Sequence, residues 1–134
     1  MLDYSDTGDA GEVFIDDPDD LSAIADAPQD FQDFAQTVVR ELIEQNQSSC
    51  PDGAIGMGVS RIVPTAGFAV GGINACGGYV AIWKRESTGW KEIIGTQDAF
   101  SCDELHDNGV PVSLFSDPSC VTEDSGGRLV GYAG

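Results

Sequence analysis

The stretch QDFQDFAQTVVRELIEQNQ, Gln29 to Gln47, decides the architecture. Phe31, Phe34, Ala35, Val38, Val39, Leu42 and Ile43 recur at i, i+3, i+4, i+7 and i+8, the spacing of one apolar stripe on an α-helix. Pro28 or Asp30 marks its start, and Asp30 and Asp33 suit the positive end of the helix dipole. Asn46 to Ser49, followed by Pro51, end it. A helix with so wide an apolar face must lie on something, most simply a sheet.

Working downstream, the chain supplies that sheet. Residues 57–63, 68–74, 79–84 and 90–94 are short runs rich in branched and aromatic residues, separated by Pro64-Thr65-Ala66-Gly67, Gly77-Gly78 and Ser87-Thr88-Gly89. In the first run, alternation predicts Met57, Val59, Arg61 and Val63 on one face and Gly58, Ser60 and Ile62 on the other. A three-residue turn with Gly89 left-handed predicts Lys84 opposite Glu92 and Ile82 opposite Ile94. The connections are too short for parallel crossovers, so an antiparallel meander is expected. Ser101-Cys102-Asp103-Glu104 has the form of a capping box opening a second, short helix, and Asn108-Gly109 suits its end, with Pro111 beyond. The rest is read as loop with one edge strand near 128–132. The expected fold is α+β: a long amphipathic helix packed on a four-stranded antiparallel sheet, then a short helix, with two disulfides.

Working upstream, the composition changes. The 134-residue chain carries 23 Asp+Glu against 6 Lys+Arg, a formal net charge of −17. Residues 1–30 hold ten of the acids and no Lys or Arg, while 31–134 carry a net −7. Gly8, Gly11, Pro18 and Pro28 punctuate the same segment. Residues 1–27 are therefore expected to be a disordered acidic leader, because like charges repel and little apolar surface offsets the ordering entropy. Two apolar knots interrupt it, Val13-Phe14-Ile15 and Leu21 with Ile24. Residues 28–134 are expected to form one disulfide-stapled domain. Six scattered cations supply no basic footprint for nucleic acid, and an anionic membrane surface is disfavoured for the same reason. No run of 18 apolar residues is present, so no direct membrane insertion is expected.

Cys50, Cys76, Cys102 and Cys120 are widely spaced, with no C-x-x-C. That spacing argues against a zinc ribbon or a thioredoxin-like pair and for two disulfides. Four cysteines allow three connectivities; Cys50–Cys76 with Cys102–Cys120 is preferred, each closing a short loop. Structural disulfides imply an oxidising compartment. The sequence shows no export signal, so the chain is expected to be the ectodomain of a protein whose signal or anchor lies outside it.

Catalytic motifs are sparse. Asp6-Thr7-Gly8 matches an aspartic-protease triplet, but that chemistry needs two such loops around one proton. The glycine spacing after Asp3 and Asp6 lacks the alternating oxygen ligands and terminal glutamate of a calcium loop, so no metal and no cofactor are expected. His106, the sole histidine, lies one helical turn from Cys102; a cystine there removes any Cys–His pair. The glycines around Asn74 and Cys76 form no G-x-G-x-x-G, and glycine in strands more often marks a bulge or a close backbone approach. Asn46-Gln47-Ser48 is a glycosylation sequon at a helix end. The remaining candidate is the hairpin carrying Trp83, Arg85, Trp90 and Lys91. If one indole faces outward, these residues form an aromatic, locally basic binding surface; otherwise both indoles are core.

Cys76, Gly77-Gly78, Ile82-Trp83-Lys84, Gly89-Trp90-Lys91, Ile93, Thr96-Gln97, Cys102, Val110-Pro111 and Cys120 together carry a resemblance. Over residues 34–121 the chain resembles a small disulfide-bonded domain of actinobacterial exported lipoproteins and membrane-anchored proteins of unassigned function. The resemblance implies an envelope location behind a linker and offers no catalytic residues. The functional expectation is a non-enzymatic extracytoplasmic binding or sensing module, whose partner is another protein or an envelope component. The alternatives are an acidic inhibitor or immunity-type protein steered to a basic enzyme, and a small hydrolase using His106.

Overall fold

In the computed structural model, residues 2–4, 12–46, 48–49, 55–115 and 118–132 are described. The chain runs β1 (Leu2–Asp3), β2 (Val13–Ile15), a 3-10 turn at Ser22–Ile24, and α1 (Gln29–Asn46). The strands β3 (Gly56–Val63), β4 (Phe68–Asn74), β5 (Gly78–Glu86) and β6 (Gly89–Thr96) follow. Then come α2 (Cys102–Asp107), a 3-10 turn at Val112–Leu114, β7 (Ser119–Cys120), a further 3-10 turn at Glu123–Ser125, and β8 (Val130–Gly131). β3, β4, β5 and β6 pair in order as the expected antiparallel meander. The sheet has six strands rather than four, because β1 and β2 both pair antiparallel with the outer edge of β3. β7 and β8 form a separate two-stranded ribbon.

The leader therefore differs from its expected disorder wherever it is described. Ile15 and Ile24 are fully buried, and Tyr4 and Ala27 join the same core. Tyr4 donates its amide to the Ser60 carbonyl and its hydroxyl to Asp26. The physical reason is local. Val13 and Ile15 alternate onto the core face of an otherwise open strand edge, and three paired residues satisfy backbone groups that β3 would leave unpaired. Residues 5–11, which contain the Asp6-Thr7-Gly8 triplet, lie outside the described residues.

α1 lies across one face of the sheet. Phe31, Ala35 and Val39 are fully buried against Met57, Val59, Ile62, Ala69, Ala81 and Trp83. The expected alternation in β3 changes at a bulge between Val59 and Arg61. The extra residue shifts the pleat by one position, so Ile62 joins Met57 and Val59 under the helix, and Val63 turns to the opposite face. Arg61, nearly buried, pairs with Asp3 of β1 and donates to the Ser113 carbonyl at 3.4 Å.

The opposite face is covered over half its length by the carboxy-terminal segment. Leu105, Val110, Leu114, Cys120 and Tyr132 pack on Val63, Phe68, Ile82 and Ile94. α2 is capped as its sequence predicts, with the Ser101 hydroxyl accepting from the Glu104 amide, and Gly109 takes the left-handed conformation (φ 66°) just past its end. Cys102 and Cys120 form a disulfide with Cα atoms 5.1 Å apart. The Tyr132 hydroxyl, buried, donates to the Val110 carbonyl at 2.6 Å. Cys76 carries no free thiol, and its expected partner Cys50 lies outside the described residues. Among the described residues, no helix is long and apolar enough to cross a membrane.

Candidate functional site

The β5–β6 hairpin does not present the surface that its composition offers. Trp83 and Trp90 are 1% and 7% exposed. Phe31 of α1 meets both edge-on, with ring centroids 6.3 Å and 4.9 Å away. The hairpin turn is a residue shorter than expected. Glu86 faces Gly89 and Lys84 faces Lys91, while a bulge at Ile93 restores Ile82 opposite Ile94. Trp83 and Trp90 thereby share the helix side of the sheet and seal the core. Arg85 is tied down as well. Its guanidinium lies over the Trp90 ring at 5.0 Å, bonds Asp30 at 2.8 Å and donates to the Pro64 carbonyl at 3.1 Å. Lys91 is exposed beside Glu86. Of the four residues expected to bind together, two are core, one is a clamp between hairpin and helix, and one is a surface cation.

His106 is exposed in the last turn of α2, and Cys102, one turn earlier, is committed to the disulfide. A disulfide sulfur is neither nucleophile nor thiolate ligand. Among the described residues, no group of three or more His, Cys, Asp or Glu side chains converges on a metal position.

A cavity does exist, on the half of the second sheet face that the carboxy-terminal segment leaves uncovered. It is open, with a volume of about 790 Å³, and Glu12, Phe14, Gly58, Gly72, Val80 and Thr96 are among its lining residues. Register explains its form. Phe14 of β2 pairs with Gly58 of β3, Gly58 with Gly72 of β4, Gly72 with Val80 of β5, and Val80 with Thr96 of β6. This cross-strand row has two glycines in its middle, so backbone forms the floor between two apolar walls, with Gly58 buried and Gly72 partly exposed. Phe14 and Val80 are 39% and 40% exposed. Gly71, next along β4, has the opposite duty: a Cβ there would overlap the Gly58 carbonyl oxygen, so it is a close approach of two strands.

Glu12 lies over this floor. A Cβ on Gly58 would overlap the Glu12 carboxyl group, and the Glu12 Oε2 reaches within 3.7 Å of where a Cβ on Gly72 would stand. The side chain thus extends across β3 to β4, into space that two missing side chains leave free. Burial raises its pKa, and among the described residues no neighbouring cation or donor opposes that rise. Elsewhere on the chain three of the six cations are matched with acids: Arg61 with Asp3, Arg85 with Asp30 and Lys91 with Glu86. At the adjoining rim the Tyr79 hydroxyl donates to Glu92 at 2.8 Å; burial, that bond and the nearby charge push its pKa up to about 12.

Composition hides this site. The leader reads as acidic linker when averaged over 27 residues, whereas Val13-Phe14-Ile15 is a short run of branched and aromatic residues of the kind strands favour. That run was the available signal. Comparison of the chain with protein-family models, with curated proteins and with solved structures finds no match.

Proposed function

We propose that this chain is a non-enzymatic binding module of an oxidising, extracytoplasmic setting, and that what it binds is a cationic protein. The observation that carries the reading is Glu12, a partly buried carboxylate with no counter-charge among the described residues, in a chain whose net charge is −17. A charge in such a place lowers stability unless something supplies its partner. The field of the whole molecule favours approach by basic surfaces and repels acidic ones. The Cys102–Cys120 disulfide supports the compartment. The envelope anchor implied by the resemblance belongs to the same proposal.

The strong acidity favours a second version of this reading, in which the partner is a basic enzyme and the chain is its inhibitor or immunity-type protein. Both versions share one test. The protein is titrated by calorimetry with a basic globular protein, with an arginine-rich peptide and with an acidic peptide of equal length. Saturable one-to-one binding of a basic ligand that persists at about 0.15 M salt supports the proposal. Binding that vanishes there, or equal binding of the acidic peptide, overturns it.

A further inference from the structure

From the glycine-floored cleft, we infer that the module receives a single arginine side chain of its partner, laid on the backbone of Gly72 and paired with the Glu12 carboxylate, which itself covers Gly58. The inference deepens the cationic-partner reading and rests on it.

Four features fit this occupant. Gly72 puts no side chain on the floor beside the Glu12 carboxyl group, which covers buried Gly58, so a flat group can approach the sheet backbone at Gly72. The walls on either side are apolar and exposed, Phe14 and Val80, which suits an alkyl stem and a ring face for a planar cation. The carboxylate projects over the floor, and burial, with no partner among the described residues, already penalises its charge. The net charge selects basic partners before contact. Between the two long cations, guanidinium fits better than ammonium. It is planar, more weakly hydrated, stacks on aromatic faces and offers a two-pronged donor to a carboxylate.

Binding has a proton signature. Before binding, burial makes Glu12 hold its proton to higher pH than an ordinary carboxylate. A guanidinium beside it favours the charged form, so at mildly acidic pH each binding event releases a proton.

The test uses the full chain and three capped tripeptides, Gly-Arg-Gly, Gly-Lys-Gly and Gly-citrulline-Gly, followed by amide chemical shifts. The arginine peptide is expected to move the Gly58, Gly72 and Val80 amides saturably, the lysine peptide to bind more weakly, and the neutral citrulline peptide to leave them still. Glu12→Gln is expected to weaken the arginine peptide about tenfold or more, the loss of one charge-assisted contact. Gly58→Ala is a second probe, because the atoms nearest its Cβ would be the flexible carboxyl tip of Glu12, which it would push off the floor. Thermal melts of both variants establish that they fold. Shifts scattered over the acidic surface, or an unchanged affinity in folded Glu12→Gln, overturn the inference. If those variants still bind the basic protein one-to-one, the cleft assignment fails and the cationic-partner reading stands. If the unaltered chain binds no basic ligand, both fail.

Discussion

The two faces of the sheet are finished differently. Under α1 the face is closed by a three-ring aromatic cluster of Phe31, Trp83 and Trp90, with aliphatic side chains filling the spaces around it. On the other side, half the face is covered by a disulfide-closed segment, and the remaining half is floored by Gly58 and Gly72, with the Glu12 carboxylate, unmatched among the described residues, lying over Gly58. The contrast separates stability from recognition. Large apolar groups that meet other apolar groups hold the molecule together, whereas exposed Phe14 and Val80 and the partly exposed Gly72 in the same row contribute little to folding and are open to a ligand.

The contrast breaks most visibly at Trp90. Trp90→Ala is expected to lower unfolding free energy by about 3–5 kcal/mol, as a large buried ring is lost and its cavity is lined by Phe31. Lys91→Ala, the next residue and exposed, is expected to change it by no more than about 0.5 kcal/mol. Urea denaturation of the two proteins checks the difference. Equal, small effects would return the hairpin to the surface role that its composition suggests.

The covered half of the second face is sharpened by its staple. Cys102 and Cys120 are 18 residues apart, so replacing both by Ser is expected to cost about 3 kcal/mol in the chain-entropy account. The melt should show the loss without any change in the amide shifts of Gly58 and Gly72. In the same layer Tyr132→Phe removes a buried donor from the Val110 carbonyl and is expected to cost about 1–2 kcal/mol, read by the same denaturation.

Much of the helix face was legible beforehand. The period of Phe31, Ala35 and Val39 gave α1 within a residue at its end, and β3 to β6 lie where branched and aromatic runs lie. The Ser101 cap and the Cys102–Cys120 pairing were legible too, since both are short-range. What eluded reading was set by register. A bulge near Ser60 moves Ile62 from one face to the other, and nothing in the residue types around it marks the extra residue. The two-residue turn at Ser87-Thr88 puts Lys91, rather than Glu92, across from Lys84. The candidate site was hidden for a third reason. It joins a leader strand of three residues to glycines some 45 to 60 positions later, and no local pattern announces such a pairing. Glycine at 58 and 72 is informative only after the strands are aligned.

The smallest expected effect isolates the bare half of the face. In the folded state the Glu12 pKa stands above its unfolded value because burial disfavours the charge. The folded chain therefore keeps this proton longer than the unfolded chain. Its contribution is most favourable below the usual carboxylate range and declines as pH rises through the raised value. Glu12→Gln keeps the shape of the side chain, removes the charge, and should flatten that part of the stability–pH curve while leaving neutral-pH stability equal or slightly higher. A variant that is more stable yet no longer receives a cation would show a carboxylate retained against the interest of folding, which is the mark of a binding group. Should the variant instead lose stability at neutral pH, Glu12 would have a structural partner, and the two halves of the second face would differ in covering alone.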